Sequence, residues 1–393
     1  MSALLEEVHF NRDADDKRGS ALNLRVDFDQ PLLLPEWKQR ADGSIRRAAV
    51  AYAVRSVVPA LLAVGARIRW LGAPQAAIEV RALQTVAQGE LTLRAPVLGE
   101  LAARTCALAP DGDSGVVLFA VRGGWLSSAP VGRHRVTWRW QYRTHADAPW
   151  TDFAQSDHEI YTTLLPPSAP WSVAPFVDAN AALPWSEVLA IACQWAAGAN
   201  TTEEAASLIC LRLFALGGFR FEYGCAVFGR EMYTNSLLAV FDCTALVERL
   251  QGGEGNGRYV NCTDCACIVS TLANALGARL WQGRMGAYIP AFMTRNIRTI
   301  GGAHWNSPCS TGLGFMFHEV AWSGNATEAD SVYDASLLVN ANLYPFGPVA
   351  PLLAANLGFG AAWGGLYRSM LAESQDQFVC HPRPEERRCR ALV

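Results

Sequence analysis

Three residues that together can make and steer a thiol nucleophile follow one another along the second half of the chain: Cys262, His318 and Asp334. A cysteine attacks as its thiolate, so it needs a base to hold the proton and a third group to orient that base. Around Cys262 the sequence reads Tyr259-Val-Asn-Cys-Thr-Asp-Cys-Ala-Cys267, and Cys265, Ile268, Val269, Leu272 and Leu276 recur at steps of three and four. Ser270, Thr271 and Asn274 fall on the other side, so the spacing predicts an amphipathic helix that stops at Gly277. The approach, Gly252-Gly-Glu-Gly-Asn-Gly257, is too rich in glycine to stay helical. The helix must therefore start near Asn261 or Thr263, either of which is a suitable cap. Cys262 then sits at the helix N-terminus, where partial positive charge and free N–H groups favour a thiolate.

His318 lies in the strand-like segment Phe315-Met-Phe-His-Glu-Val-Ala-Trp322, and Asp334 in Val332-Tyr-Asp-Ala-Ser336. The polar stretch Ser323-Gly-Asn-Ala-Thr-Glu-Ala-Asp330 joins them. A hairpin centred on Ala326 would set residues 318 and 334 directly opposite on one face, and an Asp–His hydrogen bond would follow.

Taken together, these pieces resemble the bacterial members of the transglutaminase-like superfamily, papain-like cysteine acyl transferases and hydrolases. The resemblance rests on Cys262-Thr-Asp-Cys-Ala266, on Leu276-Gly277 ending the helix, on His318-Glu-Val-Ala-Trp322 and on Val332-Tyr-Asp-Ala335, and covers roughly residues 201–339. Asn261 stands where a small residue is usual, Cys265 where an aromatic is usual, and Ala335 where proline is usual. The longer gap between Cys262 and His318 suggests an insertion between Ala287 and Gly314 that contains a second histidine, His304. The resemblance implies that Cys262 attacks a carboxamide, His318 carries the proton and Asp334 holds the imidazole. The outcome would be deamidation, peptide hydrolysis or cross-linking of a protein or peptide. Tyr223 and Tyr259 are candidates for the second oxyanion donor, and Asp264 for a supporting role. No cofactor or metal is implied.

Other readings stay open. Cys262, Cys265 and Cys267 with His304 or Cys309 could form a small zinc site, although a second Cys-x-x-Cys half is missing. Cys262-Thr-Asp-Cys265 also has the spacing of a dithiol redox motif. A structural or interaction protein that keeps the fold without turnover is the third alternative. His134 and His158 read as structural.

The elements that must position these residues divide by texture. Residues 1–20 read as a polar lead-in, 21–170 as an antiparallel β-sandwich for recognition or docking, and 171–393 as the transglutaminase-like domain. The alternating segments 22–28, 77–83, 91–94, 116–121, 134–143 and 159–165 supply the sandwich. The proline-rich run Leu165-Pro-Pro-Ser-Ala-Pro-Trp171 marks the boundary. Helices follow at 184–197, 201–216 and 244–250, then the Cys262 helix and strands at 279–285, 314–322 and 331–339, which makes the class α+β. The apolar stretch 349–366 contains Pro351, Asn356 and several glycines, a poor membrane helix.

Composition narrows the function classes. At 393 residues, 51% hydrophobic and 18% charged, the chain has ample core, and a net charge of −3 gives no reason to expect nucleic acid or an anionic membrane as partner. Eleven cysteines, an odd number scattered from Cys106 to Cys389, suit free thiols in a reducing compartment. The opening residues lack a secretory pattern, so synthesis in the cytoplasm is expected, with any export signal-independent. Only Lys17 and Lys38 are lysine among 33 basic residues, which fits GC-rich bacterial coding or selection against modifiable amines, as in an effector.

Overall fold

The alternating segment around the paired tryptophans forms the strand Gly132–Arg143, with Val136, Trp138 and Trp140 fully buried. It belongs to a computed structural model that describes residues 2–11, 18–26, 30–32, 34–85, 97–173, 177–178, 181–182, 184–224, 232–305, 314–342, 350–360, 366–373, 376 and 378–393. The chain divides into two compact units, Met1–Pro166 with Ser172–Asn200, and Pro167–Trp171 with Thr201–Val393.

In the first unit ten strands join in one sheet, in the order Ile45–Arg47, Trp37–Gln39, Ala3–His9, Ala63–Trp70, Asp113–Gly123, Gly99–Ala107, Ala77–Thr85, Gly132–Arg143, Thr151–Thr163 and Val50–Ala53. Neighbours are antiparallel except the last pair, where Ile160 stands beside Val50 in parallel. All four residues of Val50–Ala53 are buried, the unbroken apolar run that a strand covered on both faces requires. The sheet curls around an apolar core in which Phe10 stacks on Trp138, ring centroids 5.6 Å apart. His158 is a satisfied core residue: its Nε2 lies 2.8 Å from Ser156 Oγ, and burial pushes its pKa down to about 3. Helix α1, Ser186–Trp195, belongs to this unit.

Two expectations fail here. The first residues are not a loose lead-in: Ala3–His9 is an interior strand, because Ala3, Leu5 and Val8 face the core while Glu6 pairs with Arg69 on the neighbouring strand. The segment expected as a strand over 22–28 forms only the short Arg25–Val26 ladder with Gln30–Pro31, and residues 27–29 lie outside the described residues, as does the expected strand 91–94.

The second unit holds α2 (Thr202–Ala215), α3 (Cys243–Gln251), α4 (Cys262–Ala275) and α5 (Leu366–Leu371). Thr201 caps α2 by accepting from Glu204 N at 3.1 Å, with Glu203 and Glu204 in the first turn where the helix dipole favours them. A six-stranded sheet runs Arg298–Thr299, Ser331–Asn340, His318–Trp322, Trp281–Met285 and Pro382–Arg388, with Pro351–Gly358 also paired to Ser331–Asn340. Its pairings are antiparallel, so the chain as a whole is α+β. The apolar stretch over 349–366 supplies the strand Pro351–Gly358, and among the described residues no helix is long and apolar enough to cross a membrane.

Gly99 opens its strand at φ +87°, and a Cβ there would lie 2.1 Å from the Arg122 carbonyl oxygen. Gly43 has a similar φ of +81° but nothing within 4 Å. Gly43→Ala should therefore lose only about 1–2 kcal/mol of unfolding free energy, the intrinsic left-handed penalty. Gly99→Ala should lose at least about 3 kcal/mol, because backbone must also move. Denaturant unfolding of both variants checks the contrast.

Candidate active site

Helix α4 is fixed at both ends by its own sequence. Asn261 is the cap: its side chain accepts from Asp264 N at 3.0 Å, and Asp264 Oδ2 accepts in return from Asn261 N at 3.2 Å. Such a reciprocal pair contributes about 1 kcal/mol. At the other end Gly277, at φ +95°, lets Gly277 N and Ala278 N bond back to Asn274 O and Ala273 O at 3.1 Å each. Cys262 is thus the first helical residue.

The helix is not amphipathic as its spacing suggested. All fourteen of its residues are buried, the polar ones included. Ser270 accepts from Gln282 Nε2 at 2.9 Å, and Asn274 bonds Ala169 O, Leu280 O and Leu280 N at 2.7–2.9 Å. The proline-rich segment read as a boundary also touches it: Trp171 Nε1 donates to Thr271 O at 3.0 Å, and Ser168 N to Asn274 O at 3.0 Å. Neighbouring elements therefore satisfy Ser270 and Asn274, which water was expected to satisfy, while Thr271 Oγ1 is buried without a partner among the described residues.

His318 and Asp334 do meet: Nε2 lies 2.9 Å from Oδ2, with the side chains 0% and 1% exposed. The register that brings them together is not the one anticipated. Ala321 pairs with Tyr333 and Trp322 with Val332, which places residue 336, not 334, opposite residue 318. The turn accounts for the shift. Gly324 and Ala326 adopt positive φ, and the Asp330 carboxylate gathers Asn325 N at 3.1 Å and Thr327 N at 2.9 Å. A slip of two keeps every side chain on its face, so the pair survives. Pairing of the aspartate strand with Pro351–Gly358 also loses register between Tyr333 and Leu338, an irregularity of the kind that re-aims a side chain.

Two partners of Asp334 were not legible in the sequence. Ser336 donates to Oδ1 from its backbone N at 2.8 Å and from Oγ at 2.6 Å, and the Tyr367 hydroxyl on α5 donates to Oδ2 at 2.7 Å. Burial pushes the Asp334 carboxyl up, yet His318, Ser336 and Tyr367 together hold it below the usual carboxylate range. Burial likewise pushes the His318 imidazole down, but Asp334, with Cys262, raises it to about 10. The Phe315 ring packs on the imidazole at 5.4 Å.

Cys262 neighbours both His318 and Tyr223, since its thiol acts on the charge of each. His318 Nδ1, the nitrogen left over by Asp334, is buried and makes no hydrogen bond. It is the imidazole atom available to a thiol. Cys262 is 6% exposed. Burial, aided by Cys262, raises the Tyr223 phenol well above its ordinary range, so Tyr223 stays a donor.

The remaining candidates sort differently. Asp264 accepts from Met232 N at 3.2 Å and Tyr233 N at 3.1 Å besides the cap, and burial pushes its carboxyl up to about 6. It ties a loop to the helix. Tyr259 stands opposite Glu222 in a parallel ladder with Arg258 over its ring at 5.5 Å, and no described interaction joins it to Cys262. His304 is exposed and Cys309 lies outside the described residues. Among the described residues no group of three or more His, Cys, Asp or Glu is placed to hold a metal ion. Burial pushes the other eight described thiols up, Cys267 to about 12 and Cys389 to about 11.

No protein-family model matches this chain, and a search of curated proteins finds no match.

The His318–Asp334 pair makes a signed prediction. A folded pKa of about 10 lies above the unfolded value. The pair's contribution from His318 is therefore complete below the unfolded histidine pKa of about 6.5. It is lost as pH rises through about 10. Ring-nitrogen NMR should find His318 protonated through pH 8 in the wild type. In Asp334→Asn, where burial acts without its counter-charge, His318 should be neutral at pH 7. A ring that is neutral at pH 7 in both proteins would contradict the ion pair.

Proposed function

We propose that this protein is a transglutaminase-like cysteine enzyme acting on a carboxamide of a protein or peptide, through Cys262, His318 and Asp334. One observation carries the reading: a buried histidine is bound to a buried aspartate, and a cysteine on the first turn of a helix is near enough to act on the imidazole charge. On this reading the six-stranded sheet with α4 is the transglutaminase-like domain, and the curled sheet of the first unit is a sandwich-like docking domain.

The chemistry follows from the charges. The Cys262 thiolate adds to the amide carbonyl carbon, and the carbonyl π pair moves to oxygen. The Cys262 backbone N–H, free at the first helical position, and the Tyr223 hydroxyl are the donors that would meet that oxygen. Collapse of the adduct breaks the C–N bond, and His318 Nδ1 gives its proton to the departing nitrogen. Asp334 holds the imidazole in place throughout. Water then releases an acid, or an amine releases a new amide, with His318 taking up the proton of the incoming group.

A second reading has its own observation. The triad is nearly closed to solvent, with Cys262 6% exposed and His318 0%. A scaffold that keeps the fold without turnover would look the same.

Labelling with iodoacetamide at pH 7, read by peptide mass spectrometry, separates the two. Cys262 should alkylate at least about tenfold faster than the other cysteines, and His318→Ala should abolish the difference. Uniform slow labelling would favour the scaffold. If labelling is selective, Tyr223→Phe should leave it in place but lower ammonia release from a glutamine peptide by about a hundredfold.

A further inference from the structure

A second cluster of buried charge begins one residue beyond His318. The side chains of Glu319 and Arg390 are both 0% exposed. Arg390 Nη1 pairs with Glu319 Oε1, and Nη2 donates to Oε2 at 3.2 Å, a two-bond fork that fixes direction as well as distance. Arg284 Nε closes on Glu319 Oε2 from another side at 2.8 Å. The Arg390 guanidinium also reaches Cys267 Sγ on α4 at 3.4 Å, Gln282 Oε1 at 3.2 Å and Ser236 Oγ at 3.3 Å. Thr263, next to Cys262, donates to Glu319 Oε2 at 3.4 Å. Arg284 continues the network to Phe317, its guanidinium 4.5 Å from the ring centroid. The residues on both sides of His318 are therefore held.

Arg390 itself is anchored by the chain that follows. Ala391–Leu392 pairs in parallel with Val240–Phe241, and Val393 O accepts from Cys243 N at 2.9 Å and Thr244 N at 3.2 Å in the first turn of α3.

A buried ion pair is weak as a source of stability, since apolar residues of similar volume often do as well. What it does supply is fixed geometry in a medium that penalises any other arrangement. We infer that Arg390 is a positioning residue of the candidate site: by clamping Glu319 against α4, it sets His318 at its working distance from Cys262. The inference rests on the Cys–His–Asp reading, and it assigns the site a member 128 residues downstream of the nucleophile in sequence (390 − 262).

The test uses the full chain, the rate of Cys262 alkylation by iodoacetamide and the midpoint of thermal unfolding. Three variants are compared: Arg390→Met, Arg390→Lys, and the apolar replacement Glu319→Leu with Arg390→Met. The double variant, in which Arg284 keeps only Glu386 as an ion-pair partner among the described residues, at 3.9 Å, should melt below the wild type but still fold cooperatively. It should alkylate Cys262 about tenfold to a hundredfold more slowly, the scale expected of a small misplacement. Arg390→Lys, which keeps the charge but not the fork, should fall between them. A folded double variant that labels at the wild-type rate overturns the inference, and so does failure of all three variants to fold, which would make the cluster structural only. Unselective labelling of wild-type Cys262 would instead remove the catalytic reading on which the inference stands.

Discussion

A carboxylate taken out of water must be given back its hydrogen bonds, and Asp334 is where this chain meets that demand. Four donors converge on its two oxygens: the imidazole, the Tyr367 hydroxyl, and the amide and hydroxyl of Ser336. Hydrogen bonds to a charged group contribute about 1.5–3 kcal/mol each, and leaving one unmade in the interior costs comparably. Much of the second unit can be traced to this requirement. The aspartate strand leaves regular register where Ser336 folds back, α5 comes in to deliver Tyr367, and the histidine strand stays close enough to share Oδ2. The charge on His318 is a consequence. With Asp334 held ionised, the imidazole beside it stays protonated against the push of burial.

Helix α4 shows the same economy in neutral form. A helix buried on every side cannot present polar residues to water, so Ser270, Thr271 and Asn274 needed partners from other elements. Two of these residues receive side-chain partners, through Gln282 on the adjoining strand and the backbone at Ala169 and Leu280, and Trp171 reaches the Thr271 carbonyl. These bonds fix the rotation and depth of the helix as dispersion alone would not, since apolar packing is tolerant of small slides. Asp264 adds a tether at the N-terminal end, tying Met232 and Tyr233 to the helix cap.

The sequence discloses those parts of the site that depend on local pattern. Three- and four-residue spacing marks the Cys262 helix, Leu276-Gly277 marks its end, and two strand-like segments with a polar loop between them mark the hairpin that carries His318 and Asp334. Local pattern does not carry register, because positive φ at Ala326 and the Asp330 turn are set by a few backbone angles. Nor does it disclose Tyr367, Ser336 or Arg390, single residues whose importance lies in what they touch far along the chain. The amphipathic reading of α4 failed for a related reason: polar residues spaced along one side look alike whether water or protein meets them. In the first unit the strand Ala3–His9 was hidden by the charged run that follows it, although its own Ala-x-Leu pattern points inward.

The pairing of Ala391–Leu392 with Val240–Phe241 also bears on the order of events during synthesis. A ribosome releases the chain from its N-terminus, so Cys262 emerges long before Ala391–Leu392, the strand that pairs with Val240–Phe241. The ladder of Thr234–Asn235 with Val240–Phe241 gains its third strand only then, and the first turn of α3 its bonds to Val393. Until then Cys243 N and Thr244 N lack the Val393 carbonyl that accepts from both. The third strand of that ladder is thus added only after Cys262, His318 and Asp334 have all been synthesised.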